Sequence, residues 1–494
     1  MDKPSEDNAE MQPYWTKVRD ITGGIDAMRA AKKAYLPSFS GENPDQYDFR
    51  LSLTKMTNVF SEAASTLAAK PFQDPTTLMI TDDKRPVPQE LIDLQYNIDG
   101  RGNNLTVFAS QIFYFGMINA IHWVLIDNPP VDGPLTVAEA KQRGLRPYWV
   151  HIQAPNVLEV KTETIGGVEV LTYVRILEPG KPLRVRVFER NIAQATVTWS
   201  LYEKQTNRER NKDEWVLIDS GPMDIDRIPL VPFITGRRDG DRWFFIPALR
   251  DAVDLQIDLY QSESGLKFIK NQSAYPMLSA SGVKPDKDAT GNITPIKVGP
   301  MSVLYAPPDG SGNHGEWKYI EPNGETLRFL TQDCKETGAD MRELMRQPLT
   351  VNSENLTVIT TAVAAGKTKT LIGAWRLLLI DMLENCFVMT CQWLNIPSET
   401  YDPNVWVFED FDEFLDGKDL TELNEIRNSG NISRLTYWEE LKRRRVLSSQ
   451  FDPEQEEMRL LEDVTSDTSD VSDESDESDD SDAMIEGTED ALEV

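Results

Sequence analysis

An α+β protein is predicted from the 494-residue sequence, with helices and strands gathered in blocks rather than alternating. Three observations predict it. Apolar residues recur at helical spacing before residue 120 and again after residue 247. Between residues 148 and 234 the pattern changes to short β-branched runs separated by hairpin turns. Two helix-like stretches, each stopped by a proline, then flank a turn-rich insert that carries short strand-like runs of its own.

Residues 45–70 read as one helix, with Phe49, Met56, Val59, Phe60 and Ala63 near helical spacing and Pro71 beyond its end. Residues 105–120 are helical in pattern and run into the strand-like "IHWVLID", which the turn "NPPVDGP" stops. In the β block, "VLEVKTETIGGVEVLTYVRIL" gives two strands around Gly166-Gly167, followed by "LRVRVF", "TVTWSLY" and "EWVLI". Their length and turn spacing predict an antiparallel module. The next helix starts at Pro247, with Leu249, Val253, Ile257 and Tyr260 spaced by four, four and three, and ends before Pro276. Its counterpart starts near Asn323, puts Leu327, Leu330, Cys334, Met341 and Met345 on one face, and stops before Pro348. A polar stretch, "LTVNSENLTV", leads into a long helix that reaches about Trp393. A strand-like "VWVFEDF" and two short helices follow, and no internal repeat is present.

Composition excludes several function classes. Hydrophobic content of 40% and 11 Trp fit a globular body. The formal net charge of −30 argues against a protein whose main task is gripping phosphates. Half of that charge lies in residues 462–494, which hold fifteen acidic residues and no Lys or Arg. A segment such as "SDTSDVSDESDESDDSD" has no apolar face and repels itself, so it is expected to be disordered. Cys334, Cys386 and Cys391 are odd in number and lack metal spacing, which predicts reduced thiols in a cytosol-like compartment. The N-terminus is polar, without an apolar signal core. The apolar stretch 371–394 is interrupted by Arg376, Asp381 and Glu384, so a buried helix is expected there, not a membrane span. A soluble intracellular product is expected.

One motif invites a catalytic reading. In "NLTVITTAVAAGKTKTLIGAWRLLLIDML", Gly366-Lys367-Thr368 matches the end of a phosphate-binding loop, GxxxxGK[ST], and Asp381 follows as a possible magnesium ligand. Such a loop needs glycine so that successive backbone N–H groups can turn toward the phosphates. Thr361 stands where the first glycine belongs, and Ala-Val-Ala-Ala fills the interval with residues that continue a helix. Asp381 is thirteen residues beyond Thr368, too near to end a separate parallel strand. The stretch is therefore expected to be a buried helix with Lys367 and Lys369 exposed near its start. His122, His151 and His314 are far apart in sequence and form no ligand pair, and Cys386 and Cys391 fall near one helix face as core residues. No catalytic residue, cofactor site or metal site is expected.

Several stretches in fixed order carry a resemblance. They are "KAYLPSFSGENPDQYDFRLSLTKMTNVFSEAASTLAAKPF", "FYFGMINAIHWVLIDNPP", the pair "QSAYPMLSASGV" and "VGPMSVLYAPP" bracketing the insert, and "GNISRLTYWEELKRRRVLSSQFDPEQEEMRLLED". In the last, Gly430, Ile432 and Ser433 precede a helix, then Val446-Leu447 and an acidic stretch. Together these resemble the portal proteins of tailed bacteriophages, over roughly residues 25–463. The basic cluster 442–445 and the acidic tail are heavier than that family's pattern.

The resemblance implies a portal fold with a helical wing and crown. Residues 1–240 would be the wing, 241–275 and 323–347 the two stem helices, and 276–322 the β-containing clip. Residues 348–359 would be the tunnel loop, 360–394 the long wing helix, 395–461 the crown and 462–494 the tail. It implies a structural ring, twelve-fold as in the family, at one capsid vertex of the virion, assembled in the host cytoplasm. Double-stranded DNA would pass through it. A terminase motor, scaffolding and major capsid proteins and a head-completion or tail adaptor would be its partners, with no membrane and no catalysis of its own. Candidate DNA or channel residues are Asn352, Ser353 and Asn355 on the loop, Lys335, Arg342 and Arg346 on the second stem helix, and Lys267 and Lys270 on the first. Taken singly, each cation is better read as an exposed helix charge or an intersubunit ion pair. Leu327, Leu330 and Met341 are candidates for the subunit interface. Two other classes stay open at this point: a different head-assembly or virion protein without a DNA channel, and a divergent nucleotidase.

Overall fold

The computed structural model describes residues 1–80, 85–129, 139, 143–207, 212–273, 277–282, 315–320, 324–345, 358–408, 417–443, 446–447, 451–453 and 455–460. The chain divides into two compact units, Met1–Phe411 and Asp412–Val494.

In the first unit, α1 (Glu6–Thr22) and α2 (Gly24–Ala31) lead to α3 (Pro44–Leu53) and α4 (Val59–Ala69). The expected single helix over 45–70 is thus two helices. The break has a local cause: Thr54 leaves helical backbone at ψ 144 and caps Leu51 O with its hydroxyl. Asn58 then restarts the helix by accepting from Ser61 N. Asn43, Gln46 and Pro44 form the capping box of α3. Phe49, placed on the apolar face by spacing, is 58% exposed, whereas Val59, Phe60 and Ala63 are buried. β1 (Thr77–Leu78), α5 (Gln89–Gln95) and α6 (Leu105–Asn119) follow, and α6 ends as expected with Ala120 in left-handed backbone at φ 69.

The β block matches its hairpin reading. β2 (Ile121–Asp127) and β3 (Tyr148–Ile152) pair antiparallel. Then β4 (Val157–Ile165), β5 (Val168–Glu178), β6 (Arg184–Asn191), β7 (Thr196–Asn207) and β8 (Lys212–Met223) form a five-stranded antiparallel meander. β9 (Leu230–Ile234) returns to pair with the other side of β2, giving the order β3-β2-β9. β10 (Arg237–Arg238) and β11 (Phe245–Ile246) close a small pair.

β2 is the hinge of the core, buried on both faces. Val124 and Ile126 join the helical core, while Ile121, Trp123 and Leu125 pack with Val174, Ile176 and Phe188 of the meander. Gly116 lets α6 lie against β9, because a Cβ there would stand 2.2 Å from the Phe233 ring.

Three long helices complete the unit: α7 (Arg250–Ser273), α8 (Gly324–Leu344) and α9 (Val358–Trp393). All three lie where periodicity and proline predict. The strands β12 (Met277–Ser281) and β13 (Glu316–Ile320), antiparallel to each other, join α7 to α8 at the base of the expected clip; residues 283–314 lie outside the described residues. The expected tunnel loop is outside them as well over 346–357, as are His314 and the acidic tail. Of the strand-like "VWVFEDF", β14 (Val405–Trp406) pairs with β1, a partner more than 300 residues earlier. In the second unit, α10 (Gly417–Asn428) and α11 (Arg434–Arg443) are the two expected short helices, and Ser433 caps the latter by accepting from Thr436 N at 3.1 Å. Among the described residues no helix is long and apolar enough to cross a membrane.

Candidate functional site

The GKT motif lies inside α9, where backbone N–H groups are committed to the helix rather than turned to a phosphate. The side chains of 358–370 are outside the described set, so the expected exposure of Lys367 and Lys369 has no counterpart here. Cys386 and Cys391 are buried in α9, and burial pushes both thiols up, Cys391 to about 11. They are core residues. Among the described residues no cluster of three or more His, Cys, Asp or Glu is placed to hold a metal ion.

Charge gathers elsewhere. α7 and α8 pack side by side, and the segment before α4 lies across them. Buried Gln256 holds that segment in place: its side chain donates to Thr57 O and accepts from Phe60 N, both at 3.0 Å. Glu263 adds two bonds, from Thr57 N at 2.6 Å and Thr57 Oγ1 at 2.5 Å. The result is a groove of about 380 Å³ whose lining includes Lys55, Lys267, Lys270, Lys335 and Arg342, over a floor of Leu259 and Leu266.

Four of the cations expected from sequence, on two helices about 70 residues apart, are thereby brought to one place. Lys267, Lys270 and Lys335 are exposed; Arg342 is half-buried and 3.5 Å from Glu62. Lys55 belongs to the group but lies 195 residues before the start of α7, which no sequence spacing reveals. Among the described residues only Glu263, 4.0 Å from Lys55, brings a carboxylate to the lining. Burial, then Glu263 and Asp333, push the Cys334 thiol up at the wall, which disfavours its thiolate. Among the described lining residues five cations stand against one carboxylate, so the groove carries an excess of positive charge.

Arg346, Asn352, Ser353 and Asn355 lie outside the described residues. Leu327 and Leu330 are half-buried on α8. Met341 is corrected: it is 0% exposed in the core of its own chain, with Met345, and has no surface left for a second subunit.

Two of the histidines, far apart in sequence, meet in the fold. His122 and His151, 29 residues apart, sit diagonally across β2 and β3 with Nε2 of one 3.1 Å from Nδ1 of the other. Strand pairing, not sequence spacing, makes the contact. Both rings lie among aromatics, His151 stacked on Phe108 at 3.8 Å and His122 against Phe115. Burial holds His122 well below the usual imidazole range, with His151 adding to it. Burial takes His151 to about 4, against a partly opposing pull from Asp99.

A family model described as a domain of unknown function (DUF4055) matches residues 248–394, the stretch that begins at α7 and ends with α9. No curated protein matches the chain. Similar solved structures include the neck of a native GTA particle computed with C12 symmetry, at 10% identity and a TM-score of 0.40 over 77% of this chain and 88% of that one. The neck of an empty GTA particle computed with C6 symmetry gives 8% and 0.42 over 82% and 95%. The virion of a native gene transfer agent particle gives 10% and 0.37 over 82% and 96%. At these TM-scores the likeness fixes neither topology nor role.

Proposed function

We propose that the chain is the subunit of a portal-type ring, a structural conduit for double-stranded DNA at a capsid vertex, without catalysis of its own. The observation that carries this reading is the order within the first unit. A helix pair, α7 and α8, is joined by a long insert closed at its base by β12 and β13, and a polar segment then leads into the 36-residue α9. This is the order that the sequence resemblance to portal proteins implies for stem, clip, tunnel loop and wing helix. The packaging motor, scaffolding and capsid proteins and the tail adaptor would dock on such a ring as separate proteins.

The charge balance supports a conduit over a clamp. Each neutralised phosphate adds affinity, so a wall rich in Lys and Arg would retain DNA, and a chain of net charge −30 lets it slide. Short polar side chains such as Asn352, Ser353 and Asn355 touch phosphates by hydrogen bonds without that retention. Replacing residues 351–356 with a Gly-Ser linker is expected to leave rings intact but to lower the DNA retained in filled heads. Normal, stable, full heads from the replaced chain would overturn the loop's role.

A further inference from the structure

We infer that the basic groove between α7 and α8 is the seat for a second copy of this chain, entered by an acidic stripe on the opposite side of that copy's α8. The inference rests on the ring reading and names its seam.

α8 turns about 100° per residue. Thr331, Cys334, Lys335, Gly338 and Arg342 therefore share one side, and all five line the groove. Glu336, Asp340 and Glu343, spaced by four and three, fall on roughly the opposite side, together with Phe329. The three acids are exposed and Phe329 is 69% exposed. One helix thus carries a cationic face and, behind it, an anionic face with an aromatic anchor. A two-fold dimer needs one self-complementary patch. Two different, mutually complementary faces are what a head-to-tail contact needs, and such contacts form a ring when the rotation between subunits closes.

A ring axis parallel to α8 is part of the inference. Rotation about a ring axis parallel to α8 keeps every residue at its own level. Glu336 then stands within one residue's rise, about 1.5 Å, of the level of a neighbour's Lys335. Glu343 stands equally close to the level of a neighbour's Arg342. Lys267 and Lys270 reach in from the α7 wall of the same groove. Glu263 and Glu62 each have one of the five cations within 4.0 Å, which leaves an excess of positive charge for an incoming carboxylate stripe. Exposed pairs are individually weak, so the contact is salt-sensitive and gains its strength by repetition around the ring. A groove built for DNA phosphates has no need of an acidic stripe at the same heights on its back.

Charge exchange tests this on the full chain, read by native mass spectrometry with circular dichroism to confirm folding. The first variant carries Glu336→Lys, Asp340→Lys and Glu343→Lys; the second carries Lys267→Glu, Lys270→Glu and Lys335→Glu. Each alone is expected to be a folded monomer under conditions where the unaltered chain forms rings. Mixed, the two are expected to form rings again, alternating and therefore even in number, because each offers the face the other lost. Rings from either variant alone, or no rings from the mixture, would overturn the seam. A second variant that assembles normally but loses DNA from filled heads would assign the groove to phosphates instead. An unaltered chain that never forms rings would overturn the ring reading, and the seam with it.

Discussion

Lowering the pH from 7 to 5 is expected to destabilise the first unit, by about 2 kcal/mol through His151 and further in the same direction through His122. Both imidazoles are kept neutral in the fold, His122 well below its usual range and His151 at about 4. The unfolded chain titrates near pH 6.5. Folded values lie below unfolded ones, so the unfolded chain binds more protons as the pH falls, and stability is lost with acid rather than gained. His151 contributes about 1.4 kcal/mol per pH unit below the unfolded value, over roughly one and a half units, and His122 adds to it with the same sign. The geometry gives the same sign: the two nitrogens 3.1 Å apart share one proton, and a second would set two N–H groups against each other. Glu42, held below the usual carboxylate range by Arg50, loses its contribution only below about pH 4.3 and stays out of this window. Urea unfolding at pH 7 and 5, followed by circular dichroism, checks the value. Replacing His151 with Gln should weaken the pH dependence; equal slopes in both proteins would place the acid sensitivity elsewhere.

Trp149→Ala is expected to cost about 3–5 kcal/mol of stability. Trp149 is 0% exposed at the middle of the helical core. Its ring meets Phe387 edge-on at 4.8 Å, and its Nε1 donates to Thr390 Oγ1 at 2.9 Å, so one side chain on β3 clamps the C-terminal half of α9. Trp149→Phe separates the two contributions. It keeps most of the apolar burial and loses the hydrogen bond, while the Thr390 hydroxyl still donates to Cys386 O. A cost of about 1–2 kcal/mol is expected for it. Similar thermal unfolding for all three proteins would mean that α9 is held by other contacts.

What was legible in the sequence is what local signals set. Proline stops bounded α7 and α8, Gly166-Gly167 turned the hairpin of β4 and β5, and the missing glycine at Thr361 kept the GKT motif inside α9. The break between α3 and α4 was local too, but its signals, Thr54 and Asn58, are single polar residues inside an otherwise apolar pattern. The rest depends on tertiary pairing that spacing does not encode. β14 finds β1 across the unit, His122 finds His151 by strand register, and Lys55 reaches the groove because Gln256 pins its segment to α7. Met341 was misjudged for the same reason: periodicity identifies an apolar face but not whether its own chain already covers it.

The most direct measurement is native mass spectrometry of the purified full chain, paired with negative-stain images of the same sample. The portal reading predicts closed rings of a single stoichiometry, twelve as in the family it resembles, with an open centre. A chain that stays monomeric at micromolar concentration, or that forms dimers or particles without a central opening, would contradict it.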